Sequence, residues 1–177
     1  MLKLSLLILA ALIALIVLVL LYASTRPDAM HFERSVVIAA APEKIFPHLN
    51  DFRAWDAWTP YNKDPAMKKT YGAVAAGKGA TYAWEGNKDV GKGEIAITDA
   101  AAPSRIALDL HMITPFEARN VVVFTLVPEG PATRVTWAMD GKNNLIGKAL
   151  GLFMDMDKMV GGDFEKGLAS LKQVAER

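Results

Sequence analysis

The chain has 177 residues, 52% of them hydrophobic, with 20 Lys and Arg set against 19 Asp and Glu. That length suits a single domain with a real core, and the even charge shows no basic stripe, so no nucleic-acid partner is expected. Zero cysteines exclude a disulfide framework, a thiolate nucleophile, a cysteine zinc site and a lipoprotein anchor cysteine.

The mean hydropathy of +0.19 is high for a water-soluble protein. Its source is one segment: between Leu4 and Ala23 only Ser5 is polar. Without those residues the mean falls to roughly −0.2, an ordinary soluble value. As a helix, Leu4 to Ala23 would span roughly 30 Å, the thickness of a bilayer core. A cleaved secretory signal has a shorter apolar stretch, about 7–15 residues, and small residues at −3 and −1. Here a cut after Ala23 puts Leu21 at −3. Tyr22 sits where an interfacial aromatic belongs, and Arg26-Pro27 ends the helix. The residues favour a retained single-pass anchor, with a cleaved signal and a buried core helix as the alternatives. Lys3 and the α-amino group before the span, against Arg26 offset by Asp28 after it, place the following domain on the extracytoplasmic side. The expected organisation is therefore a transmembrane helix over 1–23, a linker over 24–30 and a folded domain over 31–177.

Phe32 to Ala39 has strand character, ending at Ala41-Pro42, where proline favours a first helical turn. Glu43 to Asp51 reads as a short helix with Ile45, Phe46 and Leu49 inward, kinked or broken at Pro47. Phe52 to Pro60 packs three aromatics around one turn, with Trp55 and Trp58 on a common face. Six strands follow: Lys68–Val74, Gly79–Gly86, Lys92–Thr98, Ser104–Ile113, Glu117–Val127 and Thr133–Asp140. Short Gly- and Pro-marked links between them imply an antiparallel meander. Alternation puts Ile106, Leu108 and Leu110 on one side, and likewise Val122, Phe124 and Leu126, and Val135, Trp137 and Met139. Tyr82 and Trp84 also share a face. From Leu145 to Ala175, apolar residues at steps of three and four predict one long helix covering the sheet, bent at Gly161-Gly162.

A strand, two short helices, six strands and a long helix make an α+β helix-grip arrangement. Here the chain resembles the SRPBCC (START/Bet v1-like) superfamily, and within it the polyketide cyclase/dehydrase-like bacterial members. The resemblance is carried by Arg34 to Pro60, Ile97 to Leu110, Phe124 to Trp137 and Phe164 to Lys172, and it covers about residues 31–176. It implies a curved antiparallel sheet wrapped around the C-terminal helix, with a cavity between them for an apolar or aromatic ligand.

The residues add bulky or soft candidates for the cavity wall: Trp55, Trp58, Tyr82, Trp84, Met112, Phe116, Trp137, Met139, Phe153, Met156 and Met159. Any of them would serve equally well as solid core, because apolar periodicity marks burial and not what fills the space. Polar candidates are thin. His48 and His111 lack an evident orienting acid, Asp51, Asp56 and Glu85 lie near the aromatic cluster, and Arg119 could hold a ligand acid. Gly72 to Gly79 imitates a phosphate loop but ends in Gly79, where Ser or Thr is needed, and runs into a strand. Asp155 and Asp157 imitate a calcium loop inside a helical pattern. No catalytic residue, metal site or cofactor is expected. The leading reading is a membrane-tethered module for a hydrophobic small molecule or lipid. A cyclase/dehydratase-like enzyme and a non-catalytic interaction domain of a membrane complex are the alternatives.

Overall fold

The computed structural model describes residues 2–177. Helix α1 (Leu2–Ser24) stands at the N-terminus, and strand β1 (Ala29–Ile38) follows within a few residues. α1 is long and apolar enough to cross a membrane. Its most apolar 18-residue stretch is not buried by the rest of the protein, while its last turns are partly covered at Val19 and Leu20 and buried at Ala23.

After β1 come α2 (Pro42–Asn50), a single 3-10 turn (Ala54–Ala57) and six strands. These are β2 (Lys68–Tyr71), β3 (Thr81–Glu85), β4 (Lys92–Ala101), β5 (Arg105–Thr114), β6 (Ala118–Glu129) and β7 (Ala132–Lys142). The sheet is curved and antiparallel, in the order β1-β7-β6-β5-β4-β3-β2. The meander from β2 to β7 is the arrangement that short links permit, and β1 closes it by pairing with β7 from Ala29↔Lys142 to Ile38↔Thr133. Register shifts in the β4–β5 ladder at Lys92/Gly93 and Ile97/Asp99 mark bulges, which increase local twist.

α2 runs unbroken through Pro47. Its end is secured by tertiary contacts. Trp58 Nε1 donates to the His48 carbonyl at 2.9 Å, Trp55 Nε1 to the Leu49 carbonyl at 3.0 Å, and the Gly77 amide to the Asn50 carbonyl at 3.0 Å. Carbonyls at a helix C-terminus have no partner within the helix, so these three donors supply what the local sequence lacks.

The long helix over 145–175 is instead two helices, α3 (Leu145–Leu150) and α4 (Met156–Ala175). Each has its own side-chain cap. Asn144 Oδ1 accepts from the Gly147 amide at 2.8 Å, and Asp155 Oδ1 from the Lys158 amide at 2.9 Å. The break therefore falls at 151–155, and α4 continues unbroken through Gly161-Gly162. Gly161 serves a close approach. A Cβ there would stand 2.1 Å from the Arg34 guanidinium, which reaches over from β1 to bind Asp157 and Glu165 at 2.8 Å each. That clamp also accounts for Asp157, whose carboxyl the hydrogen bond from Arg34 holds below the ordinary range.

α4 lies against β1, β7, the 3-10 turn and α2. The core between them centres on Phe124, Trp58, Phe164, Leu168 and Leu171, all almost fully buried, with Ile38, Ile45 and Leu49 at the α2 end.

Candidate functional site

Two aromatic groups frame the space between sheet and helix. On the helix side Phe52, Trp55, Trp58, Phe124, Trp137 and Phe164 form a continuous series. Phe52 and Trp55 meet at 5.0 Å between centroids, Trp55 and Trp58 at 5.2 Å, and Trp58 and Trp137 at 5.6 Å. Trp137 stacks on Phe164 of α4 at 4.2 Å and 8°. Toward the far edge of the sheet, Tyr71, Tyr82 and Trp84 stack across β2 and β3 at 5.3 and 5.8 Å. Trp84 is pinned by its Nε1 donating to the Val90 carbonyl at 3.1 Å.

Between these groups lies a cavity of about 290 Å³. β3 contributes Tyr82 and Trp84 to its wall, and the next two strands Ile95, Leu110 and Met112. β6 and β7 supply Val122, Trp137 and Met139, while α4 closes it with Val160 and Phe164. Phe52 and Trp55 form the remaining side. Polar side chains gather where the residues become exposed: Asp56, Tyr61, Asn62 and Asp89. Asp56 is held there by Lys69 and Asn62.

Six of the eleven residues singled out from the sequence line this cavity: Trp55, Tyr82, Trp84, Met112, Trp137 and Met139. The other five stand elsewhere. Trp58 is 2% exposed and packs in the core behind the wall. Phe116 and Phe153 are 54% and 76% exposed, one in the β5–β6 turn and the other in the α3–α4 turn. Met159 lies on the outer side of α4, and Met156 lines a separate groove with Met30, Phe32 and Leu152. For Phe153 and Met156 the reason is the helix break, because splitting α3 from α4 redirects the residues beside it away from the cavity.

Alternation reads Leu110 and Val122 as inward core residues, and the structure places both at the cavity. Asn120 is absent from the sequence-based candidates, although alternation with Val122, Phe124 and Leu126 sets it on the apolar face. It is buried, with an unpartnered Oδ1, and Trp137 Nε1 is likewise buried without a partner. Such groups are costly in an apolar interior and stand out where they occur.

The remaining polar candidates lie off the cavity. His111 sits between Glu94 and Glu117 at 3.1 and 3.2 Å, away from the wall. Arg119 is exposed and pairs with Asp109, and Glu85 pairs with Lys92. Asp51 accepts from the Arg53 amide at 2.8 Å, a local turn role. Among the described residues no group of three or more His, Cys, Asp or Glu side chains is placed to hold a metal ion.

One pKa shift belongs to the cavity wall and another to α2, off the cavity. Desolvation, with Tyr71 and Asp56 adding to it, pushes the Tyr82 phenol up to about 12, so it remains a neutral donor at any ordinary pH. Desolvation, reinforced by Lys44, holds His48 below its usual value. The unfolded chain therefore takes up this proton first, and stability falls as pH drops through about 6.5. His48→Gln is expected to flatten that decline, read from urea midpoints at pH 7.5 and 5.5.

Comparison with known proteins agrees with this geometry. Residues 29–176 match the family model described as polyketide cyclase / dehydrase and lipid transport. No curated protein matches the sequence. Among solved structures, protein CV1439 from Chromobacterium violaceum is 15% identical with a TM-score of 0.60, covering 86% of this chain and 99% of its own. TTHA0849 from Thermus thermophilus is 18% identical with a TM-score of 0.58, covering 82% and 97%. The Aha1 dimer from Colwellia psychrerythraea is 16% identical with a TM-score of 0.57, covering 83% and 96%. At these identities the structures speak for the fold alone, but the family match runs through nearly all of the chain after α1. The chain belongs to the polyketide cyclase/dehydrase and lipid transport family, a helix-grip domain of the SRPBCC type.

Proposed function

We propose that this protein is a membrane-anchored binding module that takes a hydrophobic small molecule or lipid into the cavity between its sheet and α4. The observation that carries the reading is the unfilled space itself, about 290 Å³ walled by aromatic, aliphatic and methionine side chains. Apart from Asn120 and Trp137, the inner wall is mostly apolar, so little of the volume offers a water the roughly two to four polar partners it wants. An engineered apolar cavity of about 150 Å³ takes up benzene, so this one suits a ligand of roughly a dozen heavy atoms. That corresponds to a bicyclic ring system or part of one acyl chain.

α1 gives the reading its second half. A ligand that partitions into a bilayer is met at the membrane surface, and a tether holds the cavity there. The charges beside the span, Lys3 before it and Arg26 offset by Asp28 after it, favour the domain on the extracytoplasmic side.

The test uses the full chain in nanodiscs, titrated with naphthalene. Trp55, Trp84 and Trp137 line the cavity, so occupancy should change their emission. Leu110→Trp fills the space from β5 and is expected to weaken binding at least tenfold. Because it grows into open volume, the melting temperature should stay within a few degrees. Unchanged naphthalene affinity in a folded Leu110→Trp protein would remove the cavity as the binding site.

A further inference from the structure

The break between α3 and α4 leaves an apolar surface that the cavity does not use. Leu145, Ile146 and Leu150 on α3 are 44%, 54% and 40% exposed, and Phe153 and Met154 in the following turn are 76% and 46% exposed. Five large apolar side chains within ten residues of chain are far more than the single exposed hydrophobics an ordinary surface carries. They are held in place, because α3 has its Asn144 cap and is tied to the end of the N-terminal segment. Lys148 ion-pairs with Asp28, and the Asn143 amide donates to the Asp28 carbonyl at 2.7 Å. Lys148, the one charged residue between Leu145 and Met154, is nearly buried in this pair. The nearby exposed carboxylates of Asp28 and Asp155 are engaged, one by Lys148 and the other as the cap of α4.

Position says what covers it. α3 packs against α1, and on α1 the covered side chains among those described are Val19, Leu20 and Ala23. These belong to the last turns of the apolar run. At 1.5 Å per residue, Val19 lies only about 7–8 Å below the end of the helix at Ser24. An element packed at that level cannot stand clear of a bilayer that α1 crosses. It lies at the headgroup and acyl boundary, where interfacial helices sink by about 5–10 Å. Exposed Tyr22 sits at the same level, and exposed Lys142 and Lys158 bracket the segment in sequence.

We propose that α3 and the turn leading to α4 form a second membrane contact, with Ile146, Leu150, Phe153 and Met154 entering the bilayer interface beside α1. The domain then rests on the membrane in one orientation and does not swing freely on a tether. This contact rests on α1 spanning the membrane.

The absence of cysteine makes the test clean, since one introduced thiol carries the only label. Ile146→Cys, Phe153→Cys, Leu12→Cys and Val74→Cys are each labelled with a nitrobenzoxadiazole fluorophore. The full chain is then placed in phosphatidylcholine nanodiscs with or without doxyl-labelled acyl chains. Leu12 reports the span, and Val74, 45% exposed after β2 at the opposite sheet edge, reports open solvent. Labels at 146, 153 and 12 should be quenched at least twofold by the doxyl lipid and shielded from iodide, with the reverse at 74. If 146 and 153 behave like 74 while 12 is quenched, the contact is overturned and the span stands. If 12 is not quenched, the span fails and the contact with it. Shielding from iodide at 146 and 153 without doxyl quenching would mean that a second copy of the chain covers the surface, which also overturns the proposal.

Discussion

Trp137→Ala is expected to cost about 3–5 kcal/mol of folding stability, the range for removing a large buried aromatic. Trp137 is 4% exposed and joins the two sides of the domain, stacked on Phe164 of α4 while meeting Trp58 and Phe124. Alanine would leave a void that the rigid sheet cannot close, and α4 would lose its main contact with β7. Against a total stability of about 5–15 kcal/mol, that loss makes the domain marginal. Trp137→Phe should cost clearly less, since it keeps much of the ring and removes the buried Nε1 that has no partner. Denaturant unfolding of the full chain in micelles measures both. Equal losses for the two variants would show that the indole nitrogen is satisfied in the working protein.

The second large effect is expected at Gly167, where α4 passes close to β7 and to Pro60 beyond the 3-10 turn. A Cβ there would meet Trp137 Cζ3 at 2.8 Å and Pro60 Cδ at 2.9 Å, both parts of rings that cannot swing aside. Replacing a mid-helix glycine gains about 1 kcal/mol of helix propensity, whereas overpacking costs about 1–3 kcal/mol and sometimes more. With four carbons forced into that contact, Gly167→Leu should lose at least ~2 kcal/mol net. Gly162→Ala is the control, because its Cβ would meet nothing within 4 Å and only the propensity gain remains. The expected order of melting temperatures is Gly162→Ala above wild type, and wild type above Gly167→Leu. A Gly167→Leu protein as stable as Gly162→Ala would mean that α4 can lift from the sheet at little cost.

Much of the fold was legible because it rests on local periodicity. Alternation in β5, β6 and β7 named the buried faces, and short links between strands required an antiparallel meander. The helical residues were equally clear, but the helix count was not. Apolar steps from Leu145 to Ala175 continue through 151–155 as if one helix ran on, whereas the caps at Asn144 and Asp155 divide it. Asp155 with Asp157 imitates a calcium loop, when one is a cap and the other an Arg34 partner. Gly161-Gly162 looks like a bend. A glycine placed for a neighbouring side chain is indistinguishable in sequence from one placed for flexibility.

The site was harder to read, for a related reason. Six wall residues could be named because aromatics and methionines on inward faces are few. Whether an inward residue meets another side chain or an empty volume depends on what stands opposite, and that residue is distant in sequence. Trp58 and Trp137 are both inward, yet one is behind the wall and the other on it.

By itself, then, the sequence determined the apolar N-terminal helix, the antiparallel order of the strands and the faces they bury, since each follows from hydrophobic spacing within one segment. The tertiary structure decided where the C-terminal helix breaks, which inward residues border the cavity, and that α3 leans on the foot of α1 with its apolar side uncovered. Those outcomes depend on distances between segments far apart in the chain, which no local pattern encodes.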